Sequence, residues 1–292
     1  MTMIRFTGMA SKLLPSNLRP LAKRLYYRNR HSAHPSLKRF GTVQDLYYWV
    51  ADGNLDTVLL LQNYFSAFFP SLDTETSGTV SLFDQNAVPL GSESFALGHC
   101  GSTKFRVSEM LGKYQNSSGD TFGSLEVNIA IPDAVLVDIQ KQRALYFWDR
   151  FYIGYSNPKG QMCFVHGVDR TNIHHQGDSH PVNWYQMPMD HKWAPELPVD
   201  MDDYERFSVI MLNRTASPTE VTLTVADSND DSLSWSSEVP PKGVRRFLLS
   251  KDDIGQLVPT ELRMSVEGMA TQYGRPMVFK EFKNGSFSAM HC

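Results

Sequence analysis

An all-β fold is what this sequence predicts: two tandem antiparallel β-sandwich units related by duplication, with a short helical N-terminal arm. The first observation is periodicity. In LEVNIAIP the apolar Leu125, Val127, Ile129 and Ile131 alternate with Glu126, Asn128 and Ala130, and VTLTV repeats the pattern with Val221, Leu223 and Val225, the period of a strand with one face buried. The second is a pair of runs, VLLLQN (Val58 to Asn63) and VIMLN (Val209 to Asn213), apolar on both faces as a central strand covered on each side should be. The third is self-similarity. Both runs end in asparagine; Asp84 to Gly112 and Asp227 to Gly255 each span 28 positions; Arg150 to His166 and Arg275 to His291 each span 16, with Gly160 and Gly285 at the same offset.

At 292 residues, 41% hydrophobic and 12% aromatic, the chain can fill one large or two mid-sized cores, which excludes a disordered or fibrous protein. The arm occupies residues 1–41. Residues 1–40 hold nine Lys and Arg and no acid, leaving 19 bases against 31 acids in the remainder, so the net charge of −3 hides a basic arm on an acidic body. Pro20 opens a short helix that is apolar at Leu21 and Leu25 and basic at Lys23, Arg24 and Arg28. Such an arm suits weak contact with an anionic membrane or nucleic acid, or with the acidic body itself.

The first β-sandwich unit runs from 42 to 172. Its Asn63-to-Asp84 interval is 21 residues against 14 for Asn213 to Asp227, and SAFFPSLDTETSG carries the excess. It also inserts DAVLVDIQKQRALYFWDR, whose Val135, Leu136, Ile139 and Leu145 fall on one helical face. A linker over 173–199, rich in His, Pro and Trp, follows neither period. The second unit, 200–292, ends in two strands joined at Asn284-Gly285, the dipeptide a two-residue hairpin prefers because both residues take positive φ; Pro158 and Gly160 predict a looser turn in the first unit.

Several of these stretches resemble a known family. WVADG (Trp49 to Gly53), TVLLLQN, SVIMLN, VTLTVADSNDD, VPPKGVRRFLL and RPMVFKEF are similar to the sensory rhodopsin transducer family, a small β-sandwich domain. The likeness covers most of residues 204–283, more thinly 47–131, and none of the arm or linker. The resemblance implies a compact antiparallel sandwich that binds a small molecule or sugar and is not an enzyme. Duplication, basic arm and histidine-rich linker depart from that family's single-domain form.

Cys100, Cys163 and Cys292 form an odd set without C-x-x-C spacing, which suggests neither a disulfide framework nor a zinc ribbon. With no long apolar run, the expected home is the cytoplasm, peripheral to a membrane if the arm binds one. Metal donors gather in the linker: His174, His175, His180 and His191 with Asp178. Adjacent His174 and His175 point to opposite faces of a strand, so only one joins His180 easily. DSNDDSLSWSSE sets Asp227, Asn229, Asp231 and Glu238 at calcium-loop spacing, but Ser232 stands where that loop needs glycine, and a solvated hairpin turn is expected instead. The acidic run Asp200, Asp202, Asp203 and Glu205 reads as a linker rather than a glycosidase pair. No nucleophile elbow, Walker loop or dinucleotide fingerprint is present in the sequence.

Aromatic residues are the better lead. Trp184, Tyr185 and Trp193 lie in the polar linker, where they can stack on a sugar face or plug the space between the units. His166 and His291 sit at matched strand ends, and His166, Asp169, Arg170, His180 and His291 are candidate hydrogen-bonding partners for a ligand. The sequence therefore reads as a non-catalytic, carbohydrate-like small-molecule binding protein without a cofactor, open to homo-oligomer formation. The rival readings are a metal-dependent enzyme built on His174, His175, His180, His191 and Asp178, and a scaffold tethered by its basic arm.

Overall fold

The computed structural model describes residues 40–114, 119–142, 151–166, 172–175, 199–213, 217–268 and 276–291, with the backbone alone described at 40–44, 138–142, 151, 166, 172–175 and 291. In chain order the elements are β1 (Phe40–Val50), β2 (Asp56–Gln62), α1 (Tyr64–Phe68), β3 (Thr76–Asp84), β4 (Pro89–Leu97), β5 (Ser102–Arg106), α2 (Val107–Lys113), β6 (Phe122–Ala130), α3 (Asp133–Gln142), β7 (Phe151–Ser156), β8 (Met162–His166) and β9 (Asn172–His175). After them come β10 (Tyr204–Leu212), β11 (Thr219–Ala226), β12 (Ser232–Val239), β13 (Val244–Leu249), α4 (Lys251–Ile254), β14 (Arg263–Glu267), β15 (Met277–Phe282) and β16 (Phe287–His291). The protein is mostly β, and all strand pairs within its sheets are antiparallel.

Four sheets result: A, ordered β4-β3-β6-β1-β9; B, β5-β2-β7-β8; C, β12-β11-β14; and D, β13-β10-β15-β16. The two runs apolar on both faces become β2 and β10, each with a strand on either side. Strand order in B reappears in D, and β4-β3-β6 of A reappears as C. The turns match as well. Asp84 and Asp227 each accept backbone N–H bonds at Oδ1, from Asn86 and Val88 in one case and Asn229 and Asp231 in the other. Cys100 and Lys242 both take positive φ (56° and 64°), each as third residue of a four-residue turn closed by Gly101 N–H to Gly98 O or Gly243 N–H to Pro240 O.

The expected difference between the two terminal hairpins is not found. Both are closed alike, Asn157 N–H to Gln161 O with Gly160 N–H to Asn157 O, and Phe282 N–H to Ser286 O with Gly285 N–H to Phe282 O. Positive φ falls on Gly160 (81°) and Gly285 (79°) alone, not on Asn284; one left-handed residue after a turn is the bulged form, in which glycine is favoured. Part of the extra stretch after Asn63 forms α1, and the first part of the inserted segment forms α3, with Val135 buried and Leu136 packed on the core, while Leu145 lies outside the described residues.

The cores do not divide as two self-contained sandwiches would. Sheets C and D enclose one core, where Val209, Met211 and Val278 meet Val221, Leu223, Val225 and Val266. The other core holds Leu59, Leu61, Leu125, Val127 and Ile153 from the first half, and also Ile210, Leu212, Val244, Met277, Phe279 and Ala289 from β10, β13, β15 and β16. Sheet D is therefore covered on both faces. This explains a second departure from expectation: β6 alternates in sequence, yet Ser124 and Glu126 on its polar face are buried too. Glu126 tolerates burial because Lys242 meets it at 2.6 Å and Asn128 donates to it at 2.8 Å. The expected boundary at 172/173 falls inside β9, which pairs with β1.

Candidate functional site

Where the two halves meet, three kinds of side chain build the contact. Tyr48 of β1 and Tyr155 of β7 both set their rings edge-on to Phe279 of β15, at 5.5 and 4.6 Å between centroids. Arg246 of β13 lies over Phe122 at 4.3 Å, 3.5 Å from Asp52 and 3.5 Å from the Tyr48 hydroxyl. Burial pushes the Tyr48 phenol up, Arg246 offsetting only part of that, so it stays neutral as a hydrogen-bonding group. Burial likewise pushes Tyr155 well above its ordinary value, and its hydroxyl donates to Tyr48 O at 2.9 Å. The contact is an aromatic seam in which Tyr48, Tyr155 and Phe279 are all buried.

At one end the seam opens into a cleft of about 530 Å³, a volume usual for a small-molecule site. Its walls are the β1–β2 turn (Asn54, Leu55), the β7–β8 turn (Asn157, Pro158, Lys159), the start of β10 (Glu205, Arg206) and the β15–β16 turn (Glu281 to Phe287). The walls are held by identifiable bonds. Asp52 Oδ1 accepts from Asn54 and Leu55 N–H, fixing the first turn. Asn157 Nδ2 donates to Gly285 O at 3.2 Å and Lys159 Nζ to Asn284 O at 3.1 Å, tying the two hairpins to each other. Arg206 meets Glu281 at 2.5 Å. Burial opposes the Arg206 charge, but the Glu281 carboxylate outweighs it and the guanidinium is held above its ordinary value.

Phe282 is half-buried with its ring 5.1 Å from Tyr204, which in turn meets Phe207 at 5.6 Å. It is thus a backed aromatic wall, and Phe287 is a second half-buried one. Around them Asn54, Asn157, Ser286, Glu205, Lys159 and Lys283 offer amide, hydroxyl, carboxylate and ammonium groups. Such a lining can grip a polyhydroxylated molecule, stacking its C–H face and bonding its hydroxyls.

Among the described residues, none of the ligand or metal candidates read from the sequence lines this cleft. Trp184, Tyr185, Trp193, Asp169, Arg170, His180, His191 and Asp178 lie outside the described residues. His174 and His175 are placed by backbone only, in β9 opposite Thr42 and Phe40 of β1. His166 and His291 are also placed by backbone, and at equivalent positions: opposite Tyr152 on β7 and opposite Met277 on β15. Among the described residues no group of three or more His, Cys, Asp or Glu gathers as a metal site. The turn reading of the calcium-like stretch holds, because Asp227 spends its carboxylate on the N–H groups of Asn229, Asp231 and Val258. Of the acidic run, Asp202 pairs with Lys251 and Glu205 reaches the cleft. Phe282, Phe287 and Asn54 escaped the sequence reading because hairpin ends are brought together only by packing of the halves. Asn157 and Asn284, in equivalent turns, were the one available hint.

No family model and no curated protein matches the chain. Among solved structures it is similar to a beta-glucuronidase from glycoside hydrolase family 2, with 9% identity and a TM-score of 0.20 over 86% of this chain. The chain spans 24% of that protein's length, and a likeness this slight transfers neither fold nor chemistry. Among the described residues no helix is long and apolar enough to cross a membrane.

Proposed function

We propose that this is a non-catalytic binding protein made by duplication of one β-sandwich unit, and that a small polar, sugar-like ligand occupies the cleft between the two hairpin turns. The observation that carries the reading is the cleft lining: two half-buried aromatic walls, Phe282 and Phe287, among amide, hydroxyl and charged groups in about 530 Å³. Duplication is supported by the recurring strand order and by the matched turns at Asp84 and Asp227, Cys100 and Lys242, and Gly160 and Gly285. In this view the two copies each contribute one hairpin end to a single site, and the seam behind it keeps the walls at fixed separation.

Isothermal titration of the full chain against a panel of neutral, amino and acidic monosaccharides tests the reading. Binding by at least one class is expected, weakened about tenfold or more by Phe282→Ala through loss of stacking worth about 1.5 kcal/mol. No binding by any member at millimolar concentration, or binding indifferent to Phe282→Ala and Asn157→Ala, would overturn it.

A further inference from the structure

The outer face of sheet B presents a second surface, independent of the cleft. Register places Leu60 opposite Tyr152, Gly154 opposite Phe164 and Ser156 opposite Met162, so Leu60, Tyr152, Met162 and Phe164 share one side of the sheet. Tyr152, Met162 and Phe164 are 44%, 43% and 48% exposed. Gly154 makes the patch flat: a Cβ there would sit 2.9 Å from the Phe164 ring, so the ring lies across the glycine.

Position for position, the same face exists in sheet D. Counting from Asn63 and Asn213, Leu60 corresponds to Ile210; counting from Gly160 and Gly285, Tyr152, Met162 and Phe164 correspond to Met277, Phe287 and Ala289. In sheet D this face is covered, with Ile210, Met277 and Ala289 only 1%, 4% and 6% exposed against the first half of the chain. What covers it is another β-sheet layer of the same protein. In sheet B the aromatic Tyr152 and Phe164 stand where sheet D has Met277 and Ala289, and together with Met162 they face out.

We infer that the outer face of sheet B is a self-association surface, on which a second copy of this chain packs face to face about a twofold axis. Charge at the centre of the face permits such contact. On this side of the sheet Arg106 is paired with Asp56 at 2.9 Å, the exposed Lys104 stands on the edge strand β5 opposite Leu60, and the patch of Tyr152, Met162 and Phe164 on β7 and β8 is apolar. A twofold contact through β7 and β8 sets like against like, which a neutral patch permits, and leaves Lys104 at the rim. Size sets the strength. Four strands of five to seven residues make a face about 19 Å by 18 Å, a few hundred Å² and below the roughly 800 Å² per partner of a standard interface. The dimer is therefore weak, with dissociation in the micromolar range or above.

Sedimentation equilibrium of the full chain from low to several hundred micromolar tests this. Expected is a monomer–dimer equilibrium that Phe164→Glu weakens at least tenfold, while Met290→Glu, at a residue equally exposed on another sheet (43%), leaves it unchanged. Met162→Lys, checked for native circular dichroism, takes the place of Phe164→Glu if that variant does not fold. A chain that stays monomeric throughout, a Phe164→Glu or Met162→Lys dimer as tight as wild type, or a dimer abolished by Met290→Glu would overturn the inference.

Discussion

Asn63 and Asn213 perform one task at equivalent points 150 positions apart in the chain. Each follows the central strand of its sheet, and each donates both amide hydrogens across to the neighbouring layer: Asn63 to Thr74 O (2.7 Å) and Gly98 O (2.9 Å), Asn213 to Ser217 O and Val239 O (both 2.8 Å). Their backbone N–H groups also match, bonding Gly101 O and Gly243 O. Asparagine is required because only an amide offers two donors on so short a side chain. Replacing either by Ala orphans two carbonyls, with an expected loss of about 2 kcal/mol, and Asp at either site should cost more by placing a carboxylate against carbonyl oxygens. Urea unfolding checks both variants; a negligible change at one site would break the functional equivalence of the pair.

The seam predicts energetic coupling between the halves. Arg246 serves Asp52, the Tyr48 hydroxyl and the Phe122 face together. Arg246→Ala should cost about 2 kcal/mol, and Arg246→Lys about 1 kcal/mol, since the ammonium keeps the charge but loses the planar stack. A double-mutant cycle with Asp52→Ala should return a coupling of about 1 kcal/mol. Additivity of the two single variants would mean the ion pair contributes nothing.

The strands were legible because their signal is local. The alternation of Leu125, Val127 and Ile129 needs only neighbours within β6, and the Asn63 and Asn213 run endings point to the matching strand orders of sheets B and D without any alignment. What escaped was set by contact between distant segments. Nothing near Glu126 announces that Lys242 will cover it, and nothing near Ile210 shows that its side of β10 faces the first half rather than water. The cleft escaped for the same reason. Phe282 and Asn157 are 125 positions apart, and each looks like an ordinary turn flank until the hairpins meet. The linker drew attention by composition, since His and Trp carry recognisable chemistry, whereas the cleft uses common residues in an uncommon placement.

Asp227 gives a pH-dependent prediction. Its carboxylate is held below the ordinary 3.8, first by the Val258 N–H and then by those of Asn229 and Asp231 with the Arg263 charge, against an opposing contribution from burial. A depressed carboxylate stabilises the fold fully above its unfolded pKa, and that stability is lost as pH falls through the folded value. Asp227→Asn should therefore melt below wild type at neutral pH, with the gap closing as pH falls below 3.8. Thermal melts across pH 2 to 7 check this, and a gap independent of pH would show that the charge is irrelevant to the turn.

Four bulged hairpins among the described residues differ in how well their left-handed residue suits its conformation. Gly160 and Gly285 sit there at φ 81° and 79°, Asp230 at 65° and Ala87 at 67°. Glycine carries no Cβ penalty and aspartate is often tolerated, but alanine costs about 1 kcal/mol or more in this region. Ala87→Gly should therefore stabilise the protein, by somewhat less than that because glycine also loosens the unfolded chain. The reverse changes separate strain from crowding. Gly160→Ala meets nothing within 4 Å and should cost only the backbone penalty, whereas at Gly285 a Cβ would lie 2.2 Å from Lys159 Nζ and displace the bond to Asn284. Gly285→Ala should thus be the more damaging of the two and should also disturb the cleft wall, which ligand titration would register as weaker binding. Equal losses for the two glycines would mean that the Lys159 bond between the hairpins adds nothing to stability.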